Sequence, residues 1–428
     1  MAIPNRNEVP EELKWDLTRI FKNDEEWEQA YAAAQEKVDQ LGELKGTLAK
    51  SGKDLYEGLT KILAVKREVE NIYVYATMSS DVDTANSHYL GYVSRVQSLA
   101  NQFEAATSFI NPEILSIPSD KLAEFKQAEP RLKNYAHYLE MITNKRPHTL
   151  PAEQEKLIAD AGDALGVSEN TFNVLTNSDM EYGYVQDDDG NMEQLSDGLY
   201  SLLIQSQNRD VRKGAFDTLY ATYGQFQNSL ASTLSGVVKK HNYNAKAHKY
   251  NSARQAALTA NGVPEAVYDT LIKEVDSHLD LLHRYVALRK KILGLKDLQM
   301  WDMYVPLTGK PSLSYNFEEA KEVAKKALKP LGEDYLEHVD YIFNNRVIDP
   351  VESKGKVTGA YSGGAYDTDP YELLNWENNI DSLYTLVHET GHSVHSWYTR
   401  NTQPYVYGDY PIFVAEIAST TNENILTE

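Results

Sequence analysis

Apolar side chains recur along most of this chain at the spacing of a buried helix face. Leu55, Leu59, Ile62, Val69 and Ile72 fall on one side of a 3.6-residue period, and so do Tyr268, Leu271, Ile272, Val275, Leu279 and Leu282. Both stripes read as core, with helix packed on helix. Proline punctuates the pattern at Asn111-Pro112, at Ile117-Pro118, and from Arg146-Pro147 to Leu150-Pro151. Each ring restricts the residue before it, so helices are expected to break there, restarting at Ser119 as an N-cap and again after Pro151. The period changes around Met180–Val185. The turn cluster Asp187-Asp188-Asp189-Gly190-Asn191 predicts a short β-hairpin there. A boundary near residue 197 then separates an N-terminal helical region, 1–197, from a second region, 198–428. Trp301–Pro306 reads as extended, ending in a loop around Gly309-Lys310-Pro311.

The stretch from Gly355 to Tyr371 is the least helical, with Gly359, Gly363 and Gly364 among aromatic and β-branched residues. Glycine lets backbone approach backbone or ligand closely, which suits a strand or hairpin beside an active site. A surface loop fits the same glycine content.

Composition narrows the chemistry. With 63 Asp plus Glu against 42 Lys plus Arg, the formal net charge is -21, and no basic cluster reverses it locally, so nucleic acid is not an expected partner. Cysteine is absent, which excludes disulfides, thiolate catalysis and Cys-ligated metals and leaves His and carboxylates as zinc ligands. Met1-Ala2-Ile3-Pro4-Asn5-Arg6 opens no apolar stretch, and no later segment has the run of about 20 apolar residues that spans a membrane. A cytoplasmic protein without a membrane partner is the expectation.

The chemistry concentrates in His388-Glu389-Thr390-Gly391-His392, within a predicted helix from Asp381 to Arg400. At about 100° per residue His392 lies about 40° from His388, so both imidazoles share one face. Leu383, Leu386, Val387, Val394 and Trp397 fall on the other. Two imidazoles one turn apart can converge on one zinc ion, and Glu389 beside them is placed to take a proton from a metal-bound water. A chance match to His-Glu-x-x-His is expected only about 0.02 times in such a chain, so the pattern is read as a metal site.

A catalytic zinc needs a third protein ligand and one open position. The pattern with a third His fails here, because Tyr398 stands at that position and His395 replaces the required glycine. The alternative is a carboxylate on a second helix, and Glu416 supplies one after Pro411, in a partly apolar setting beside Ile412. Thr420 and Glu423 share its face and are candidates to hold a ligand His in its tautomer, although exposed helix residues need no such role. His395 is expected to pack or meet solvent.

Leu386–Ser396, followed by Ala415-Glu416-Ile417-Ala418-Ser419-Thr420, closely resembles oligoendopeptidase F, of the thimet oligopeptidase group of zinc peptidases. The likeness extends to Trp15-Asp16-Leu17, Tyr304-Val305-Pro306-Leu307 and Gly359–Asp367. It implies a mostly α-helical metallopeptidase with a deep substrate channel that admits short unfolded peptides, and a small β-element beside the zinc helix. It implies His388, His392 and Glu416 as ligands of one zinc ion and Glu389 as general base. It also implies a strand around Gly359, Ala360 and Tyr361 that pairs with substrate backbone. Family members run on past the ligand helix into a segment with substrate-binding His and Tyr groups. Thr421–Glu428 carries neither a glycine cap nor a proline stop and reads as an interrupted helix. The catalytic domain is therefore expected to be incomplete at its C-terminus, with a separate C-terminal segment as a candidate partner. The expected function is zinc-dependent endopeptidase action on oligopeptides by a zinc-bound water with Glu389 as base. The alternative is a catalytically silent metal- or peptide-binding fragment.

Overall fold

The computed structural model describes residues 4–309 and 313–428, and the expectations that fall on Met1–Ile3 and Lys310-Pro311 lie outside them. Two compact units form, Met1–Asn144 with Leu313–Glu428, and Lys145–Ser312. They interleave in sequence, so the first 197 residues contribute to both.

In the first unit, helices Asp24–Leu41, Gly52–Asp81 and Ser87–Thr107 start at Asn23, Ser51 and Asn86, whose side chains accept backbone N–H groups of the first turn. The stripe Leu55, Leu59, Ile62, Val69 and Ile72 is buried, each side chain contributing about 1.5–3 kcal/mol. It surrounds Trp27, whose ring stacks on Tyr92 at 3.7 Å and whose Nε1 donates to the Ile72 carbonyl at 3.0 Å. Proline acts close to where expected. Pro112 lies in the first turn of helix Ile110–Ser116, where its missing N–H has no helical partner to lose. Pro118 itself is the N-cap of the next helix and Ser119 its first residue.

In the second unit, helix Ala152–Asp160 follows Pro151. The hairpin forms, with β1 (Tyr184–Gln186) antiparallel to β2 (Met192–Gln194). Its Val185 and Leu195 pack with Val211 and Ala215 of helix Arg209–Gln225. Two expectations need correction. The stripe from Tyr268 to Leu282 spans two helices, Glu265–Ser277 and Leu279–Ile292, and is exposed rather than core: Leu271 is 58% and Val275 54% accessible. Periodicity marks a helix's apolar face but does not supply its cover. The segment at Trp301 is a 3₁₀ turn, Met300–Asp302, not an extended run. Buried Asp302 bends it, accepting the Gln299 N–H and bonds from Arg209 and Arg212.

The glycine-containing stretch of the first unit forms a small sheet rather than a surface loop. β3 (Ile348–Asp349), β4 (Tyr361–Gly363) and β5 (Tyr371–Leu373) lie in the order β3-β5-β4, with β3 parallel and β4 antiparallel to β5. The link from β3 to β4 is anchored by fully buried Lys356, whose Nζ donates to Asp349 Oδ1 at 2.8 Å and to three carbonyls, while Arg6 pairs with the same carboxylate. The sheet packs on helix Ile380–Thr402, here the histidine helix, whose Leu383, Leu386, Val387 and Val394 enter a second core with Phe343, Tyr371 and Leu373. Helix Ile412–Thr427, the carboxylate helix, packs beside it. Among the described residues no helix is long and apolar enough to cross a membrane.

Candidate metal centre

The four-residue spacing brings His388 Nε2 and His392 Nε2 to 3.2 Å of each other. The carboxylate helix brings Glu416 Oε2 to 3.5 Å from both. Corners of a tetrahedron around a zinc with bonds of about 2.0–2.1 Å lie about 3.3–3.4 Å apart, so the triangle has the size that such an ion requires. Two neutral imidazoles with lone pairs facing at this distance repel unless a cation lies between them. Burial and the neighbouring His388 hold the His392 pKa below its usual value, favouring the neutral, metal-binding form. His388 Nδ1 meets Glu423 Oε1, a bond that leaves Nε2 as the free lone pair. The donor set therefore fits zinc.

Thr420 is directed elsewhere: its hydroxyl donates to the Glu416 carbonyl of its own helix. Ser419 instead holds the Glu416 carboxylate, its Oγ donating to Glu416 Oε2 at 2.8 Å. Glu416 is more open than its sequence neighbours suggest, with a side chain 48% accessible, because Ile412, Phe413 and Ile417 on the same helix are themselves exposed. His395 stacks on Tyr410 at 3.9 Å, the packing role expected of it.

Close approach of the two helices is built in at Gly391, where a Cβ would meet Ser419 Cα at 2.8 Å. Asn422 clamps the same contact, donating to the Val387 carbonyl at 3.1 Å and accepting from the Tyr335 hydroxyl at 2.9 Å. Sequence reasoning missed Gly391, Ser419 and Asn422. Gly391 had a legible signal, since a glycine inside a helix costs about 1 kcal/mol relative to alanine and calls for a packing reason.

Glu389 is buried beside the histidines. Burial raises its carboxyl to about 7, against the pull of His388 and of the Ser362 backbone N–H on β4. A carboxyl poised there can both accept and return a proton near neutral pH.

Among the described residues β4 is an edge strand, paired only with β5. Gly359, in the left-handed region at φ 84°, and Ala360 lead into it and line a cavity of about 330 Å³ with Asn375, Trp376 and Thr385. Asn375 Nδ2 donates to the Gly359 carbonyl at 2.8 Å and fixes this approach. The Tyr361 phenol points away into the core, donating to Asp81 at 2.7 Å, so only its backbone is available at the strand edge.

Comparisons with known proteins agree in direction. The model of peptidase family M3 matches residues 202–428, and that of oligopeptidase F matches residues 113–182. Oligopeptidase PepF of Bacillus subtilis is 49% identical over 426 residues, covering 100% of this chain and 64% of that protein. The plasmid oligoendopeptidase F of Lactococcus lactis subsp. cremoris is 46% identical, covering 99% of this chain and 70% of its own length. The chain thus spans about two thirds of the curated relatives it matches. The crystal structure of oligoendopeptidase-F from Enterococcus faecium superposes with a TM-score of 0.65 at 39% identity, over 94% of this chain and 67% of that one. A crystal structure from Chlamydophila abortus gives 0.87 at 32% identity, over 99% and 71%. With a histidine pair on one helix facing a carboxylate from the next and these likenesses along its length, the chain belongs to peptidase family M3, in its oligopeptidase F branch.

Proposed function

We propose that this chain carries the zinc site of a metalloendopeptidase that hydrolyses short unfolded oligopeptides in the cytoplasm, with the machinery in residues 198–428. The observation that carries the reading is the convergence of His388 Nε2, His392 Nε2 and Glu416 Oε2 next to buried Glu389. Zinc held by those three residues would supply a Lewis acid for the peptide carbonyl and acidify a bound water. Glu389 takes the proton from the attacking water and delivers it to the leaving amine, so no covalent intermediate forms. Its raised proton affinity suits both halves of that exchange. The free edge of β4, entered through Gly359, Ala360 and Tyr361, offers backbone groups to an extended peptide, which adds as a further strand. Backbone already paired in secondary structure cannot add in this way, which favours unfolded segments as substrates.

Replacing Glu389 with glutamine tests the assignment. Glu389→Gln is expected to retain stoichiometric zinc while losing hydrolysis of a fluorogenic, unstructured peptide. Turnover at the unmodified rate would refute the role of Glu389. The assay is run with and without the C-terminal segment of the Bacillus subtilis relative supplied separately. Zinc binding without turnover in both arms would instead identify a silent metal-binding fragment.

A further inference from the structure

Between the small sheet and the histidine helix lies a buried polar cluster that the proposed reaction does not use. Glu372, in the middle of β5, is fully buried, and so are Thr390 and Ser393 on the histidine helix. The register sets Ser362 of β4 opposite Glu372, so the two side chains share the sheet face. Ser362 Oγ is 2.8 Å from Ser393 Oγ, joining β4 to the helix. Both carboxyl oxygens of Glu372 and the Thr390 Oγ1 lie without a hydrogen-bond partner at bonding distance and angle. An ionised carboxylate left in that state would be among the costliest groups in the fold.

The titratable groups that face Glu372 offer no compensation. They are Glu389 on the histidine helix and Tyr335 on helix Glu333–Asn344, and β3 presents Ile348 opposite it. No cation is among them. Burial raises the Glu372 carboxyl to about 8, the hydroxyls of Ser393 and Thr390 pull it down, and the charge of Glu389 pushes it further up. A protonated carboxyl supplies one donor and an acceptor, a complement to two hydroxyls that can each do either.

We propose that Glu372 is a positioning residue, whose carboxyl proton is shared with the neighbouring Thr390 and Ser393 hydroxyls and ties β5, and β4 through the Ser362–Ser393 contact, to the helical turn that carries Glu389. The tie holds the substrate-pairing edge at a set distance from the metal-binding histidines. Its kinetic consequence rests on the reading of β4 given above, whereas the tie itself does not.

Glu372→Gln and Glu372→Leu in the full zinc-loaded chain separate the possibilities. Glutamine is uncharged and keeps a donor and an acceptor, whereas leucine keeps only bulk. The first readout is amide hydrogen exchange of Tyr361–Gly363, which requires no turnover. The glutamine variant is expected to retain protection there, and the leucine variant to exchange at least about tenfold faster. The second readout is Tm against pH. An acid whose pKa is raised on folding loses stability as pH rises from its unfolded value of 4.5 through about 8. The Tm of Glu372→Gln should therefore gain on the parent chain across that window. The third is peptide hydrolysis, where leucine should raise KM about tenfold with less effect on kcat, within the hundredfold that a displacement of about 1 Å can cost. Glutamine should restore both constants. Wild-type exchange in the leucine variant would overturn the tie. Loss of protection in the glutamine variant, or no pH-dependent gain in its Tm, would show that the carboxyl is ionised and overturn the proposal. If no form cleaves peptide, with or without the supplied C-terminal segment, the functional reading above fails, and exchange and Tm still decide the role of Glu372.

Discussion

Replacing Gly391 with alanine tests whether the proposed metal-binding geometry depends on how closely two helices approach. The new Cβ would stand 2.8 Å from Ser419 Cα and 3.0 Å from the Ala418 carbonyl oxygen. Both are backbone atoms, so no side-chain rotation relieves the contact. Ordinary contact begins at 3.4 Å, which requires the carboxylate helix to recede by about 0.4–0.6 Å. Overpacking of this kind costs about 1–3 kcal/mol, offset by about 1 kcal/mol that alanine gains over glycine in a helix interior. The fold is therefore expected to survive. Glu416 moves with its helix, however, and metal sites tolerate only about 0.2 Å of displacement in ligand distance. Zinc affinity should fall about 10- to 100-fold, comparable to the loss of an outer-shell partner. Competition against a chelating dye measures it, with circular dichroism to confirm helicity. Gly42→Ala serves as the control, since nothing lies within 4 Å of a Cβ there. Unchanged zinc affinity with reduced stability would mean that Glu416 is not a ligand. Unchanged affinity and stability together would refute the close approach itself.

Two further outcomes follow from named contacts. Glu423→Ala should weaken zinc binding by about 10- to 100-fold, because His388 loses the acceptor that fixes its tautomer, whereas Thr420→Ala should leave it unchanged. Chelator titration of both variants checks the contrast. In the second unit, Asp302 resists burial but is held at about 2 by Arg209 and Arg212. A depressed carboxyl contributes stability above its unfolded value of 3.8 and loses it as pH falls towards about 2. Asp302→Asn should cost about 3–5 kcal/mol in urea unfolding at neutral pH by leaving the buried Arg212 charge without a counter-charge, and should flatten that acid limb.

Much of the site was legible because its parts are local. Four-residue spacing on a helix sets His388 beside His392 wherever the helix lies, and the opposite apolar face predicts that it is half buried. The turn cluster at Asp187–Asn191 encodes the hairpin β1–β2 in the same local way. Glu416 was legible as a carboxylate on the next helix, but its 3.5 Å approach to both imidazoles depends on Gly391, Ser419 and Asn422, which act across the helix pair. Other features were beyond sequence reasoning. Glycine content between Gly355 and Tyr371 allowed strand or loop, and pairing to β5 decided for a strand. The stripe from Tyr268 to Leu282 promised a core, yet is exposed. Glu372 looks like an ordinary surface carboxylate until β5 places it against the histidine helix. Backbone periodicity determines which side chains share a face, so the histidine pair belongs to the sequence alone. What covers that face, and which distant carboxylates meet it, is determined by packing between segments far apart in the chain, which only the tertiary structure could decide.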